Sequence, residues 1–98
     1  MTITKTQDHS ALTLFLEGRL DTTTSPQLEA ELSASLAGVT QLPLDLEKLA
    51  YLSSAGLRVI LAAQKRMNKQ GKMVVRHVND TIMEVFEVTG FVDILTIE

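Results

Sequence analysis

The chain contains no cysteine and no tryptophan, and its aromatic residues are one tyrosine and three phenylalanines. Without cysteine there is no disulfide framework, thiolate metal site or thiol nucleophile, which agrees with a reducing compartment. Long apolar runs are also missing, so no membrane insertion is expected; Met1-Thr2-Ile3-Thr4 lacks the basic start and apolar run of a secretory signal, so a cytoplasmic location is expected. A basic surplus is absent too: the net charge is −3, and Lys65, Arg66, Lys69 and Lys72 form only a local cluster that answers a helix dipole. Nucleic acid is therefore not an expected direct partner.

The machinery of catalysis is equally sparse. His9 and His77 are the two histidines, neither has a ligand at i+3 or i+4 on a shared helix face, and no Gly-x-Ser-x-Gly elbow accompanies the serines. Glycines at 18, 38, 56, 71 and 90 stand singly, with none of the clustering that cradles a phosphate. No enzyme activity, metal or cofactor is implied, and any nucleotide involved is expected to belong to a partner.

What is present is periodicity. With 98 residues and 45% hydrophobic content, the chain is long enough for one domain, residues 1–98, and too short for two. Alternation in Ile3–Thr6 and Leu12–Glu17 predicts a hairpin turning at Gln7–Ser10. Leu28, Leu32 and Leu36 recur at helical spacing behind Ser25-Pro26, a cap followed by proline, which predicts a helix over 25–37 stopped by Gly38.

Leu42–Leu46 reads as a strand with Pro43 near its start. A second helix over 54–68 follows, with Leu57, Ile60, Leu61 and Met67 on one face, Arg58, Lys65 and Arg66 toward water, and Gly71 as its stop. Met73–Val75 is a strand, Asn79 or Asp80 caps a third helix containing Ile82, Val85 and Phe86, and Gly90 breaks it before a last strand at Ile94–Ile97. Met67, Met73 and Met83 read as core fillers. The order ββαβαβαβ predicts an α/β fold: a mixed, mostly parallel sheet of four to five strands with three main helices.

One segment does not reduce to packing. Ser53-Ser54-Ala55-Gly56 places two serines and two further small residues at the start of the second helix, directly after an apolar strand. A helix start carries unpartnered N–H groups and about half a positive charge, so it accommodates a phosphate. One of the serines can equally be an N-cap, and small residues suit either close approach of another molecule or tight packing of helix on sheet. Ser54 is four residues before Arg58 and shares its helix face. Phosphate added there would disrupt an acidic or apolar partner surface while the helix start tolerates it.

Leu52-Ser53-Ser54-Ala55-Gly56-Leu57 resembles the signature of the STAS domain, the family of anti-sigma factor antagonists. Gly18-Arg19-Leu20-Asp21, Leu44-Asp45-Leu46 and Phe86-Glu87-Val88-Thr89-Gly90-Phe91 resemble further ordered motifs of that family, so the likeness spans essentially the whole chain. The resemblance implies the STAS fold, and that Ser54 matches a serine phosphorylated by a partner kinase that doubles as the anti-sigma factor. It further implies that the unphosphorylated domain binds this serine-protein kinase and that a PPM-type serine phosphatase restores binding.

Asp21, Ser53, Ser54, Ala55, Gly56 and Arg58 are the expected partner-binding residues, with Ser53 as second candidate acceptor. Asp21 reads equally as a turn residue capping Thr23 or Thr24. One departure stands out: Ser53 occupies a position where the family commonly has Asp, which lessens repulsion of a neighbouring phosphate and removes a contact able to orient the acceptor. The same helix edge also serves a different class of function in similar proteins, as a constitutive contact of a non-switching accessory subunit or scaffold, for example of a lipid-transport or signalling complex.

Overall fold

The computed structural model describes residues 1–98. Its elements are β1 (Thr2–Asp8), β2 (Ala11–Leu20), α1 (Ser25–Ser35), β3 (Gln41–Leu52), α2 (Ser54–Gln70), β4 (Lys72–Arg76) and α3 (Asp80–Thr89), with a 3-10 turn at Phe91–Asp93. The four strands lie in the order β1-β2-β3-β4. β1 and β2 form an antiparallel hairpin around His9, whose φ of 56° is the left-handed conformation a tight turn demands. β2–β3 and β3–β4 are parallel, each joined by one helix.

Alternation decides which sheet face is covered. Leu12, Leu14, Leu16 and Leu20 of β2 and Leu42, Leu44 and Leu46 of β3 are buried, and they share one core with Leu28 and Leu32 of α1, Ile60 and Met67 of α2, and Ile82 and Phe86 of α3. The alternate residues Thr4, Thr13, Phe15, Pro43 and Val74 lie on the other face and are half-buried or exposed, so the helices cover one side of the sheet. Met73 joins the core with Met67, whereas Met83 is only half-buried. Removing a large core side chain such as Phe86 costs about 3–5 kcal/mol.

Glycine matters most where backbones meet. A Cβ on Gly71, which follows α2, would lie 2.0 Å from the carbonyl oxygen of Thr40, the oxygen that accepts the Lys72 N–H at 2.9 Å. Its φ of 173° is ordinary extended backbone, so close approach accounts for the glycine here.

Several boundaries differ from the sequence expectation for local reasons. Thr24, not Ser25, occupies the N-cap of α1; Ser25 is buried inside the first turn and donates its hydroxyl to the Asp21 carbonyl. β3 runs six residues beyond Leu46 to Leu52, because irregularities in its pairing with β2 break the two-residue alternation without ending the ladder. α2 extends to Gln70, whose amide donates to the carbonyls of Leu36 and Val39 and ties the helix end to the preceding loop. Asn79 rather than Asp80 caps α3.

The final strand at Ile94–Ile97 is not formed as an element. A single parallel bridge joins Val75 to Ile97, made by Val75 N–H to Thr96 and Glu98 N–H to Val75. The 3-10 turn at Phe91–Asp93 takes up the preceding residues and leaves Leu95 turned into the core. The sheet therefore has four strands.

Candidate functional site

The parallel pairing of β2 with β3 ends at Leu20 and Leu52, which are register partners. The Ser53 N–H continues the ladder by donating to the Leu20 carbonyl at 2.9 Å. Asp21 and Ser53 thus leave the sheet side by side at its carboxyl end, the edge where open α/β sheets meet ligands and partners.

Ser53 is the N-cap of α2. Its backbone is extended (φ −94°, ψ 172°), its Oγ accepts the Gly56 N–H at 3.3 Å, and its carbonyl accepts the Leu57 N–H at 3.0 Å. Ser is as good a cap as Asp, so its presence at this position changes the local charge and keeps the cap. Ser54 is the first helical residue and is exposed. Ala55 is half-buried, and Arg58, one turn on, is exposed.

Gly56 faces the sheet: it is buried, and a Cβ there would meet Leu20 Cγ at 2.7 Å and Leu52 Cδ1 at 2.8 Å. Its role in this edge is to seat the helix start on the strand ends, holding Ser54 and Arg58 outward on a rigid base. Between the first turns of α1 and α2 lies a shallow depression lined by Thr22, Ser25, Pro26, Glu29, Ala55 and Arg58.

Asp21 builds the turn that enters α1. Its Oδ1 accepts the N–H groups of Thr23 and Thr24 at 3.0 and 3.1 Å, with the Thr24 hydroxyl oxygen 3.3 Å away. Thr24 returns the bond, its Oγ1 accepting the Asp21 N–H at 2.9 Å and donating to the Arg19 carbonyl at 2.7 Å. The Thr24 N–H is the leading reason the Asp21 carboxyl is held below its ordinary range; the Thr23 N–H, the Thr24 hydroxyl and the Arg19 cation add to it against partial desolvation. A carboxylate that stays ionised here keeps the loop beside Ser53 in one shape.

Two residues at this edge escaped the sequence reading of the site. Arg19 and Tyr51 are register partners, and the Arg19 guanidinium carbon lies 4.1 Å from the centroid of the Tyr51 ring. Their meeting depends on the pairing shift between Gly18 and Arg19, which no local periodicity reports.

Farther along the sheet, His77 Nδ1 lies 2.8 Å from Oδ2 of the buried Asp45, whose Oδ1 accepts the Glu47 N–H at 3.0 Å. Asp45, Glu47 and His77 bring their donor atoms within 4.8 Å of one another. This meeting is not visible in the sequence spacing, because Asp45 lies 32 residues from His77. The 2.8 Å separation makes Asp45 and His77 a hydrogen-bonded pair.

Fold and edge together define a small α/β module that presents a serine-bearing helix start at the carboxyl end of its sheet. A family model described as "Mlab, STAS domain" matches residues 3–96, and the chain belongs to the STAS family. It is similar to BtrV of Bordetella bronchiseptica, named as an anti-sigma factor antagonist, at 37% identity over 99 residues, covering 99% of this chain and 85% of that protein. It is also 30% identical over 97 residues to the anti-sigma-B factor antagonist of Listeria monocytogenes, covering 96% of this chain and 84% of that one.

Among solved structures, the Bacillus cell fate determinant SpoIIAA in its phosphorylated form superimposes with a TM-score of 0.77 at 19% identity, covering 99% of this chain and 91% of that one. At that identity the likeness is one of fold. No helix of the chain is long and apolar enough to cross a membrane.

Proposed function

We propose that this chain, as one STAS domain over residues 1–98, is an anti-sigma factor antagonist working by partner switching in the cytoplasm. Unphosphorylated, it binds an anti-sigma factor that is also a serine-protein kinase; the kinase transfers the γ-phosphoryl group of ATP to the Ser54 hydroxyl, ADP leaves, and the complex dissociates. A PPM-type phosphatase hydrolyses the phosphate and restores binding. The chain supplies no catalysis of its own. The partner surface comprises Asp21, Ser53, Ser54, Ala55 and Arg58, held in place by Gly56.

The observation that carries this reading is the division of labour between the serines: Ser53 caps α2 while Ser54 stands exposed at the first helical position. The family membership and the names of the relatives support it. A phosphate on Ser54 adds roughly −1.5 to −2 charges at a terminus whose N–H groups and dipole favour an anion, so the domain itself tolerates the modification. A partner surface burying that dianion without compensation does not, and each 1.4 kcal/mol lost weakens the complex about tenfold.

The test is incubation with candidate anti-sigma-type kinases and ATP, followed by mass spectrometry of the peptide from Tyr51 to Arg58 and gel filtration of the complex. Phosphate on Ser54 with loss of the complex is the expected result; phosphate on Ser53 instead keeps the switch and moves the acceptor by one residue. An unmodified chain in stable association with a membrane lipid-transport assembly would place it with the non-switching accessory subunits.

A further inference from the structure

The switch serine accounts for release of a partner but not for its choice, and the sheet end carries a feature suited to choosing. Arg19 and Tyr51 project from β2 and β3 on the side opposite Leu20 and Leu52, which point into the core. Both are open to solvent, the Arg19 side chain 62% exposed and Tyr51 40% exposed. The guanidinium lies over the ring at 4.1 Å, and its Nε is 3.6 Å from Asp21 Oδ2. The contacts from Thr23 and Thr24 all fall on Oδ1, so Oδ2 is left facing the guanidinium, at ion-pair rather than hydrogen-bond distance. The ring and this carboxylate hold the guanidinium at the sheet end, and no hydrogen bond within the chain takes up its terminal N–H groups, the donors that can meet a carboxylate with two parallel hydrogen bonds.

Position and chemistry then agree. Tyr51 lies three residues before Ser54 and Arg19 two before Asp21, so a protein that covers the helix start and wraps round the sheet end reaches the pair on the open face. Exposed, pre-oriented Tyr and Arg are the residue types that concentrate binding energy in interfaces. An acidic group on the partner explains both halves of the switch: it is attracted by Arg19 before phosphorylation and repelled by a dianion on Ser54 afterwards.

Resting on the partner-switching reading above, we propose that the stacked Arg19–Tyr51 pair is the specificity-determining contact of the docking surface and takes an Asp or Glu carboxylate of the kinase. Arg19 provides the paired donors, and the Tyr51 ring holds the guanidinium and shields the contact from water.

The probe is the kinase identified by its ATP-dependent phosphorylation of this chain, with dissociation constants measured in ADP at low and high salt. Arg19→Glu is expected to weaken binding by about 30-fold or more and to flatten its salt dependence, Arg19→Lys by about fivefold because charge remains while the planar fork is lost, and Tyr51→Leu by about tenfold. Circular dichroism of all three should match the parent, with Arg19→Lys and Tyr51→Leu melting close to it and Arg19→Glu, which sets a second carboxylate beside Asp21, melting slightly lower.

Ser54→Asp is the parallel control. If Ser54→Asp weakens binding while Arg19→Glu binds like the parent, the pair is not the contact and the switch survives; if Arg19→Glu tightens binding, the partner group is basic and the proposal is wrong. Equal binding by Ser54→Asp and the parent overturns the switch itself, independently of Arg19.

Discussion

The starts of α2 and α3 are built alike and left in opposite electrostatic states. Each is capped from an extended residue, Ser53 or Asn79, whose side chain accepts the N–H three residues on, at 3.3 and 2.9 Å. At α3, Asp80 supplies a fixed negative charge in the first turn, and the Asn79 amide also donates to the Leu49 carbonyl at 2.9 Å, tying the helix to the sheet. At α2 the first turn holds no acidic residue, and an exposed serine occupies the first helical position. One dipole is answered permanently by the sequence; the other is open to a charge that can be added and removed.

The largest expected effect breaks that symmetry by hand. Ser54→Asp should weaken kinase binding about 100-fold, equivalent to about 2.7 kcal/mol, while Ser54→Ala binds within about threefold of the parent and resists inactivation. Neutralising the other start with Asp80→Asn should leave kinase affinity unchanged by isothermal titration calorimetry. Equal binding of Ser54→Ala and Ser54→Asp would remove the functional difference between the two helices.

Stability should run the other way. Asn79→Ala loses both a cap and the bond to Leu49 and is expected to cost about 2 kcal/mol in urea denaturation, against about 1 kcal/mol for Ser53→Ala, which loses only the cap. A larger loss at Ser53 would show the α2 start to be the structural one. Arg58→Ala should stay within about 0.5 kcal/mol in stability, because the side chain is exposed, and still lower partner affinity.

The smallest effect is in pH. The Asp21 carboxyl is held below its ordinary value of 3.8 in the folded chain, chiefly by the Thr24 N–H, so the unfolded chain binds its proton first as pH falls. The stability it contributes is fully present above that value and is lost below it, as pH falls through the lower folded value. Asp21→Asn should flatten the acid limb of a thermal-melt series below about pH 4 and leave neutral pH behaviour of the α3 end untouched.

Much of this architecture was legible in the residue pattern. The leucine spacing of 28, 32 and 36 and the alternation of 12, 14 and 16 mark elements by periods that hold within one segment. The same method placed a strand at Ile94–Ile97, because a short apolar run has β character whether or not a partner edge is in reach; the 3-10 turn leaves one bridge there. It also stopped β3 at Leu46, since a bulge resets the alternation on which the reading depends. The serine pair was visible as a helix start, but which serine caps was not, since both residue types suit the position.

By itself, the order of polar and apolar residues determined the order of elements from β1 through α3 and the stretch of small residues at the head of α2, because hydrophobic periodicity and capping act over a few neighbouring positions. Tertiary structure decided which serine faces water, which glycines admit a backbone, and which distant side chains meet: Arg19 on Tyr51, and His77 on Asp45 across 32 residues. Those meetings follow from strand register and its irregularities, which exist only once two segments have paired.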